Sequence, residues 1–299
     1  MSRKIYFFLL FLGCFPFSSL VAQDLMDMLK DDEPKTEYAY ATFKTTRLVL
    51  GQSVENPARG TLQFLIEHNF GRVNQGAYEF YGLDQSTIRL GLEYGINDWL
   101  SVSIGRSSYQ KTVDGAIKAK ILRQCSGDRN MPLSLSFYSD LSIDGLKWAD
   151  PTRKNYFSSR LAYTHQLLIA RKFSNAFSFQ LTPTLVHKNL VQHRFDPNDI
   201  FALGAGGRIK VTQRTSLNAE YFYLFNGKQG NTYQNTLSVG CDIETGGHVF
   251  QFRLTNAQPM FDRTFITETT GKWSKGDVYL GFTINRVFTI IKPKTFQKE

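Results

Sequence analysis

The sequence predicts an all-β protein, an up-and-down antiparallel β-barrel of about 12 strands that crosses a membrane. Three observations predict it. Apolar and polar residues alternate with a period of two over long segments. Short and long connections alternate between those segments. An N-terminal leader reads as an export signal.

Composition fits this class and excludes others. The chain has 299 residues, 42% of them hydrophobic, and its mean hydropathy is −0.27. Past the first 20 or so residues there is no apolar run of about 18, which excludes a bundle of transmembrane helices. A barrel strand averages its two faces, so a soluble-looking hydropathy does not exclude a membrane barrel. Aromatic content is 14%, with 25 Phe and 14 Tyr against 3 Trp, as interfacial girdles require.

Arg3 and Lys4 form a basic n-region, Ile5 to Phe17 an apolar h-region, and Ala22 precedes the expected cleavage. Gly13–Cys14 offers a rival lipoprotein signal, weakened by Phe11 and by the apolar run beyond Cys14. Removing residues 1–22 lowers the net charge of +9 by two. The remaining basic charge suits anionic lipid or polysaccharide head groups, and no nucleic-acid fingerprint accompanies it.

Residues 23–60 are expected to be a periplasmic or lumen-lying N-terminal segment, and residues 61–299 the barrel. Residues 24–40 are polar around Asp31–Asp32–Glu33–Pro34, with one helical turn expected near Leu25–Leu29. Thr42 to Leu50 is strand-like. As a barrel strand it would make the count odd and leave the two termini on opposite sides. Parity therefore places it outside the wall, returning through Gly51 to Pro57.

Barrel strands are expected near 61–70, 86–95, 98–107, 114–124, 131–142, 156–173, 176–188, 199–212, 215–226, 233–245, 247–257 and 276–288. Fourteen strands remain open if 156–173 holds more than one. In 86–95, Ile88, Leu90, Leu92 and Tyr94 share one face, with Arg89, Gly91 and Glu93 on the other. Gly95–Ile96–Asn97–Asp98 is a hairpin signal. The same alternation recurs in 215–226, 233–245, 247–257 and 276–288. Connections at 95–98, 173–176, 212–215 and 245–247 are tight, and 124–131 is fairly short. Those at 70–86, 107–114, 142–156, 188–199, 226–233 and 257–276 are longer. Outer-membrane barrels pair short periplasmic turns with long outer loops. The clusters Tyr221–Phe222–Tyr223–Leu224–Phe225 and Phe173 with Phe177 are expected at the bilayer interfaces. Residues Ile291 to Glu299, with Lys292, Lys294 and Lys298, extend the chain as a basic tail.

Cys125 and Cys241 lie far apart and read as two isolated cysteines. His68, His165, His187, His193 and His248 show no zinc-like spacing, so neither a metal nor a cofactor is expected. Gly204–Ala205–Gly206–Gly207 lacks the Lys-Ser/Thr of a phosphate loop and reads as glycine that permits bending and close strand approach.

Thr42–Phe43–Lys44–Thr45–Thr46–Arg47–Leu48, Ser53 to Leu62, Glu67–His68–Asn69–Phe70–Gly71, Tyr81–Gly82–Leu83–Asp84 and the Tyr94 to Arg106 hairpin carry a resemblance. Together they resemble a Bacteroidetes-type family of outer-membrane β-barrels of unknown function. Asn69 stands where that pattern leads one to expect Arg. The resemblance implies a fold and an outer-membrane location, and no catalytic residues.

The polar phase of the strands is expected to line the lumen: Arg89, Glu93, Lys118, Lys120, Arg208, Lys210, Glu220, Asp242, Glu244 and Arg253. Two readings compete. Both signs of charge could pair across and plug a narrow barrel, or form a charged constriction that selects solutes. The leading functional expectation is a porin-like channel or binding protein for a small solute, set in outer-membrane lipid and inserted by barrel-assembly machinery. A sealed accessory barrel serving a periplasmic protein through residues 24–60 is the alternative. An enzyme is not expected. A lipase-type site using His165 or His187 with Ser158 or Ser178 is the weaker third reading, and a soluble secreted β-sandwich the fourth.

Overall fold

The computed structural model describes residues 35–191, 193–228 and 232–292. The leader, residues 23–34 with their expected helical turn, and the tail from 293 onward lie outside the described residues.

Among the described residues twelve antiparallel strands close into a barrel. They are β1 (Thr61–Arg72), β2 (Ser86–Gly95), β3 (Leu100–Ser107), β4 (Val113–Leu122), β5 (Ser134–Ile143), β6 (Leu161–Lys172), β7 (Phe177–Lys188), β8 (Asp199–Lys210), β9 (Thr215–Leu224), β10 (Thr236–Thr245), β11 (His248–Thr255) and β12 (Tyr279–Thr289). Each strand pairs with the next, and β12 closes on β1 with a bulge between Tyr279 and Gly281. Closure leaves no unpaired edge, the condition for a sheet in lipid.

The two faces are inverted relative to a water-soluble sheet. On β2 Ile88, Leu90 and Leu92 are 40%, 43% and 41% exposed, whereas Thr87, Arg89 and Glu93 are buried. Apolar side chains point out of the barrel and polar ones into it, as the period of two requires.

Strand ends depart from the sequence pattern for local reasons. β6 starts at Leu161 because Phe157–Arg160 form a 3-10 turn. The connection at 107–114 tightens to a 3-10 turn at Tyr109–Lys111. Residues Cys125–Ser126 form a two-residue strand that pairs with Glu37–Tyr38 and fixes the incoming chain at the tight-turn rim. Both Cys125 and Cys241 are free thiols.

One aromatic cluster divides. Tyr221, Tyr223 and Phe225 face outward, but Phe222 and Leu224 are buried in the interior because they occupy the inward phase of β9. The expected interfacial position therefore fails for those two residues.

The barrel's core is its lumen. Two segments outside the wall fill it. Residues 42–54 enter from the tight-turn end as a hairpin, with a bridge between Arg47 and Gln52. From the other end the β11–β12 connection turns inward and forms the six-residue helix α1 (Asp262–Thr267), every residue of which is buried. Residues 257–276 are therefore not the plain outer loop that their length and polarity suggest.

Candidate functional site

The hairpin is built by short polar side chains. Leu48 N–H donates to Gly51 O at 2.8 Å and Ser53 N–H to Thr46 O at 3.0 Å. Ser53 Oγ donates to Thr45 O at 2.6 Å and Thr45 Oγ1 to Arg47 O at 2.9 Å. At the tip the N–H groups of Val49, Leu50 and Gly51 are left to find an acceptor off the hairpin's own main chain, as buried amides must. Glu220 supplies it. Its carboxylate accepts from Leu50 N at 2.7 Å, Gly51 N at 3.1 Å and Val49 N at 3.3 Å.

Other wall residues meet the hairpin in the same way. Lys118 Nζ donates to the carbonyls of Glu55 at 3.1 Å, Ser53 at 3.2 Å and Thr46 at 3.4 Å. Gln180 accepts from Val54 N at 2.9 Å and donates to Gln52 O at 2.8 Å. Gln180, Gly206 and Glu220 stand directly opposite one another on β7, β8 and β9. A Cβ on Gly206 would collide with Leu48, so this glycine makes the seat of the hairpin tip. Within the Gly204 to Gly207 run, read from its spacing as permitting bending and close strand approach, Gly206 has this additional role. Gly204 likewise leaves room for the Phe222 ring.

A charge ladder backs the hairpin on the opposite wall. Arg89 Nη1 pairs with Glu67 at 2.6 Å, and its Nε donates to Asp114 Oδ1 at 3.1 Å. Gly105, opposite Asp114, leaves the space that the guanidinium fills. From the hairpin, Arg47 reaches Glu93 at 2.8 Å and Glu67 at 3.6 Å. Pairing of this kind offsets the cost of burying these charges.

The second segment is fixed by different means. Leu50 at the hairpin tip packs with Met260, Phe265 and Ile266 of the α1 connection and with Val186, Ile200 and Phe222 of the wall. The segments also meet through Gln52 Nε2, which donates to Asp262 Oδ2 at 3.1 Å, beside Tyr138 OH at 3.2 Å. Toward the long-loop end Glu268 accepts from Lys188 at 2.7 Å and from Gln110 at 3.2 Å. Burial penalises its charge, but Arg263 and Lys188 hold the Glu268 carboxyl below its ordinary value. Trp273 Nε1 donates to Leu237 O at 3.0 Å.

The sequence-predicted lumen residues separate by depth. Arg89, Glu93, Lys118, Glu220, Asp242, Arg208 and Arg253 are buried in the interior. Arg253 donates to Asn69 Oδ1 at 2.8 Å, and Asn69 donates onward to the carbonyls of Ala257 and Gln258. This anchors the α1 connection where the family pattern suggested Arg. Asp242 accepts from Gln251 at 3.0 Å. Arg208 Nε has no hydrogen-bond partner among the described residues. Lys120 and Lys210 are half-buried, and Glu244 is exposed and paired with Lys44. These three lie at strand ends, where the inward phase opens onto the mouth. A cavity of about 750 Å³ occupies that mouth, lined by Phe43, Lys44, Glu55, Lys120, Arg123 and Glu244 among others.

Sequence reasoning missed Glu67, Asp114, Gln180 and Asp262. The first three share the inward phase of their strands, a signal that was available. Asp262 sits in a connection with no periodicity.

The lipase candidates do not assemble with the serines expected of them. Ser178 is buried on the inner face. His187 instead pairs with Asp199 at 2.7 Å. His165 Nδ1 lies 3.0 Å from Ser139 Oγ, and its ring stacks on Phe137. No third group orients His165 in the hydrogen bonds of the described residues. Nor is there, among those residues, a group of three or more His, Cys, Asp or Glu disposed to hold a metal ion.

A lumen lined by charge inside an apolar outer wall defines a membrane-embedded barrel. The chain belongs to the family of membrane-bound β-barrel domains DUF5777, whose match covers residues 43–288, so the plug hairpin is part of the family pattern along with the wall. No curated protein matches the sequence. Among solved structures, the chain is similar to the NanC porin at 6% identity and a TM-score of 0.48, covering 77% of this chain and 100% of that one. An outer-membrane channel from Pseudomonas putida F1 gives 12% identity and a TM-score of 0.48, over 78% and 97% of the two chains. Outer membrane phospholipase A from Escherichia coli gives 10% identity and a TM-score of 0.42, over 76% and 88%. Similarity this low carries nothing about function.

Proposed function

We propose that the protein is an outer-membrane channel or binding barrel for a small solute, closed by two segments in series. The tight turns then face the periplasm and the long loops the exterior of a Gram-negative cell. This orientation follows the loop-length rule for such barrels. Export by residues 1–22, insertion by barrel-assembly machinery and a surround of outer-membrane lipid belong to the same reading.

The observation that carries it is the nature of the seal. The wall is continuous without the hairpin, and the hairpin blocks it through polar contacts. A wall that needed no lumen would be more stable with apolar packing, since buried ionic networks gain little over hydrophobic ones. Planar-bilayer conductance tests the proposal with three variants: hairpin 42–56 deleted, residues 262–268 replaced by a Gly/Ser linker, and both together. The double variant is expected to conduct steadily, and each single variant less.

Absence of conductance in the double variant, with a folded barrel, supports the sealed accessory barrel instead. The strand pairing of Glu37–Tyr38 with Cys125–Ser126 favours that second reading, because it holds the N-terminal segment at the periplasmic rim where a partner protein would meet it. Pull-down with and without residues 24–41 tests it.

A further inference from the structure

We propose that the lumen wall is a binding site for an oligopeptide in a tight-turn conformation, and that hairpin 42–54 is its built-in occupant. The inference deepens the solute-channel reading and rests on it for the idea that the hairpin leaves its seat.

The wall reads main chain. Glu220 accepts from three consecutive amide N–H groups of the hairpin. Lys118 donates to its Thr46 and Ser53 carbonyls and to that of Glu55, the next residue along. Gln180 makes a two-way amide pairing, accepting from Val54 N and donating to Gln52 O. Ser136 Oγ adds a bond to Val54 O at 3.3 Å. These contacts would serve any non-proline sequence, since every such residue offers one donor and one acceptor. The same logic underlies peptide recognition by exposed sheet edges. Here side chains replace the edge.

The wall also provides cups for aliphatic side chains. Leu48 lies over Gly206 and Val49 over Gly240, where a Cβ would be in contact. Leu50 lies in one buried apolar cluster with Val186, Ile200 and Phe222 of the wall and Phe265 and Ile266 of the α1 connection. A neutral saccharide could satisfy Glu220 and Lys118 with hydroxyls. Its hydroxyls would serve Gln180 as well, but it has no aliphatic side chain to fill these cups. An inorganic ion could satisfy only one sign of charge. A peptide with aliphatic residues matches all three features together.

The hairpin is at present held by its covalent link, which gives it a high effective concentration. Cutting that link after folding makes the site accessible with every residue retained. Ala58 and Arg59 are exposed between hairpin and β1, so a specific protease site inserted there can be cleaved in the folded, detergent-solubilised protein. A fluorescent peptide of residues 42–56 is then titrated in by anisotropy. Saturable binding is expected, competed by unlabelled peptide and not by a neutral oligosaccharide of equal size. N-methylation of the peptide at Leu50, which removes a donor to Glu220, is expected to weaken binding at least tenfold. Glu220→Ala in the barrel is expected to do the same.

No saturable binding, binding indifferent to N-methylation, or equal competition by the saccharide overturns the proposal. Should cleavage unfold the barrel, read as lost heat-modifiable gel mobility, the titration is repeated with the intact chain carrying Leu50→Asp. That substitution expels the hairpin's own tip and leaves the wall unchanged. Conductance of the double variant, which lacks both the hairpin and the 262–268 plug, separates the two readings. Peptide binding without conductance retains this site and removes the channel, and conductance without peptide binding does the reverse.

Discussion

The two segments that fill the lumen differ in the balance of forces that hold them. The hairpin at 42–54 is held by the wall: Glu220, Lys118 and Gln180 bond its main chain, and Arg47 joins the charge ladder. The α1 connection is tied into the wall at both of its ends by β11 and β12 and is packed through Phe265, Ile266 and Met260. Its rim is stapled by Lys188 and Glu268. The hairpin, whose N-terminal side is tied only by the two-residue pairing of Glu37–Tyr38 with Cys125–Ser126 and whose main chain is held by directional polar bonds, is expected to leave as a unit. A segment linked at both ends and held by apolar contact reorganises in place. Under the proposed channel reading, the hairpin is thus expected to be the removable half of the closure and α1 the adjustable half.

The strongest way to break this contrast is to remove the acceptor on which the hairpin tip depends. Glu220→Ala leaves three buried N–H groups without an acceptor, at about 1–3 kcal/mol for each group left unsatisfied. Even a total of about 3 kcal/mol raises the fraction of open hairpin roughly a hundredfold. Hydrogen exchange of the Val49, Leu50 and Gly51 amides should accelerate accordingly, while the amides of 262–267 keep their protection. Equal acceleration of both segments would show that they move as one body.

A smaller effect is expected from the seat itself. Gly206→Val places methyl groups where Leu48 lies, and Ala219 O and Glu220 Cβ crowd the same position. Overpacking of this kind costs about 1–3 kcal/mol. Proteolysis at Arg47 or Lys44 in the folded protein should become faster. Adding Leu48→Ala should recover part of the loss, the coupling expected of residues in contact. Gly246→Ala, where a Cβ meets nothing, is the control and should lie within about 0.5 kcal/mol of the parent protein. Absence of recovery in the double variant would place the strain in β8 rather than at the hairpin.

The contrast also explains what could be read from sequence. The wall was legible because a period of two is imposed by two environments, lipid and lumen, along every strand. Phase gives the face of a residue but not its depth. Glu244, Lys120 and Lys210 share the phase of Glu220 and Arg253, yet they lie at strand ends and stand at the mouth. Depth is set by register and closure, which are long-range. The hairpin was legible as a segment outside the wall through strand parity. Its partners were not, because main-chain contacts leave no trace in the hairpin's own side chains. Helix α1 was invisible. Six residues are under two turns, too few for a 3.6-residue pattern, and burial on all sides removes the polar face that a pattern needs. Gly206 shows the same limit from the other side: spacing marked the run of glycines, and only the docked Leu48 gives the reason for it.

The mildest test addresses the staple on the α1 side, and its sign follows from charge. Arg263 and Lys188 hold the Glu268 carboxyl below the ordinary 4.5 despite its burial. A depressed carboxyl stabilises the folded arrangement fully above the unfolded value, and that contribution is lost as pH falls through the lowered value. Protection of residues 262–268 from hydrogen exchange should therefore be flat from neutral pH down to about pH 5 and decline below it. Glu268→Gln removes the charge that Lys188 and Arg263 face, so it should lower protection at neutral pH by about 1 kcal/mol and weaken the acid dependence. The hairpin amides 49–51 bond to Glu220 and make no hydrogen bond to this staple. Their exchange at neutral pH should be unchanged by Glu268→Gln, and a parallel loss there would show that the staple holds both segments through Leu50 and Phe265.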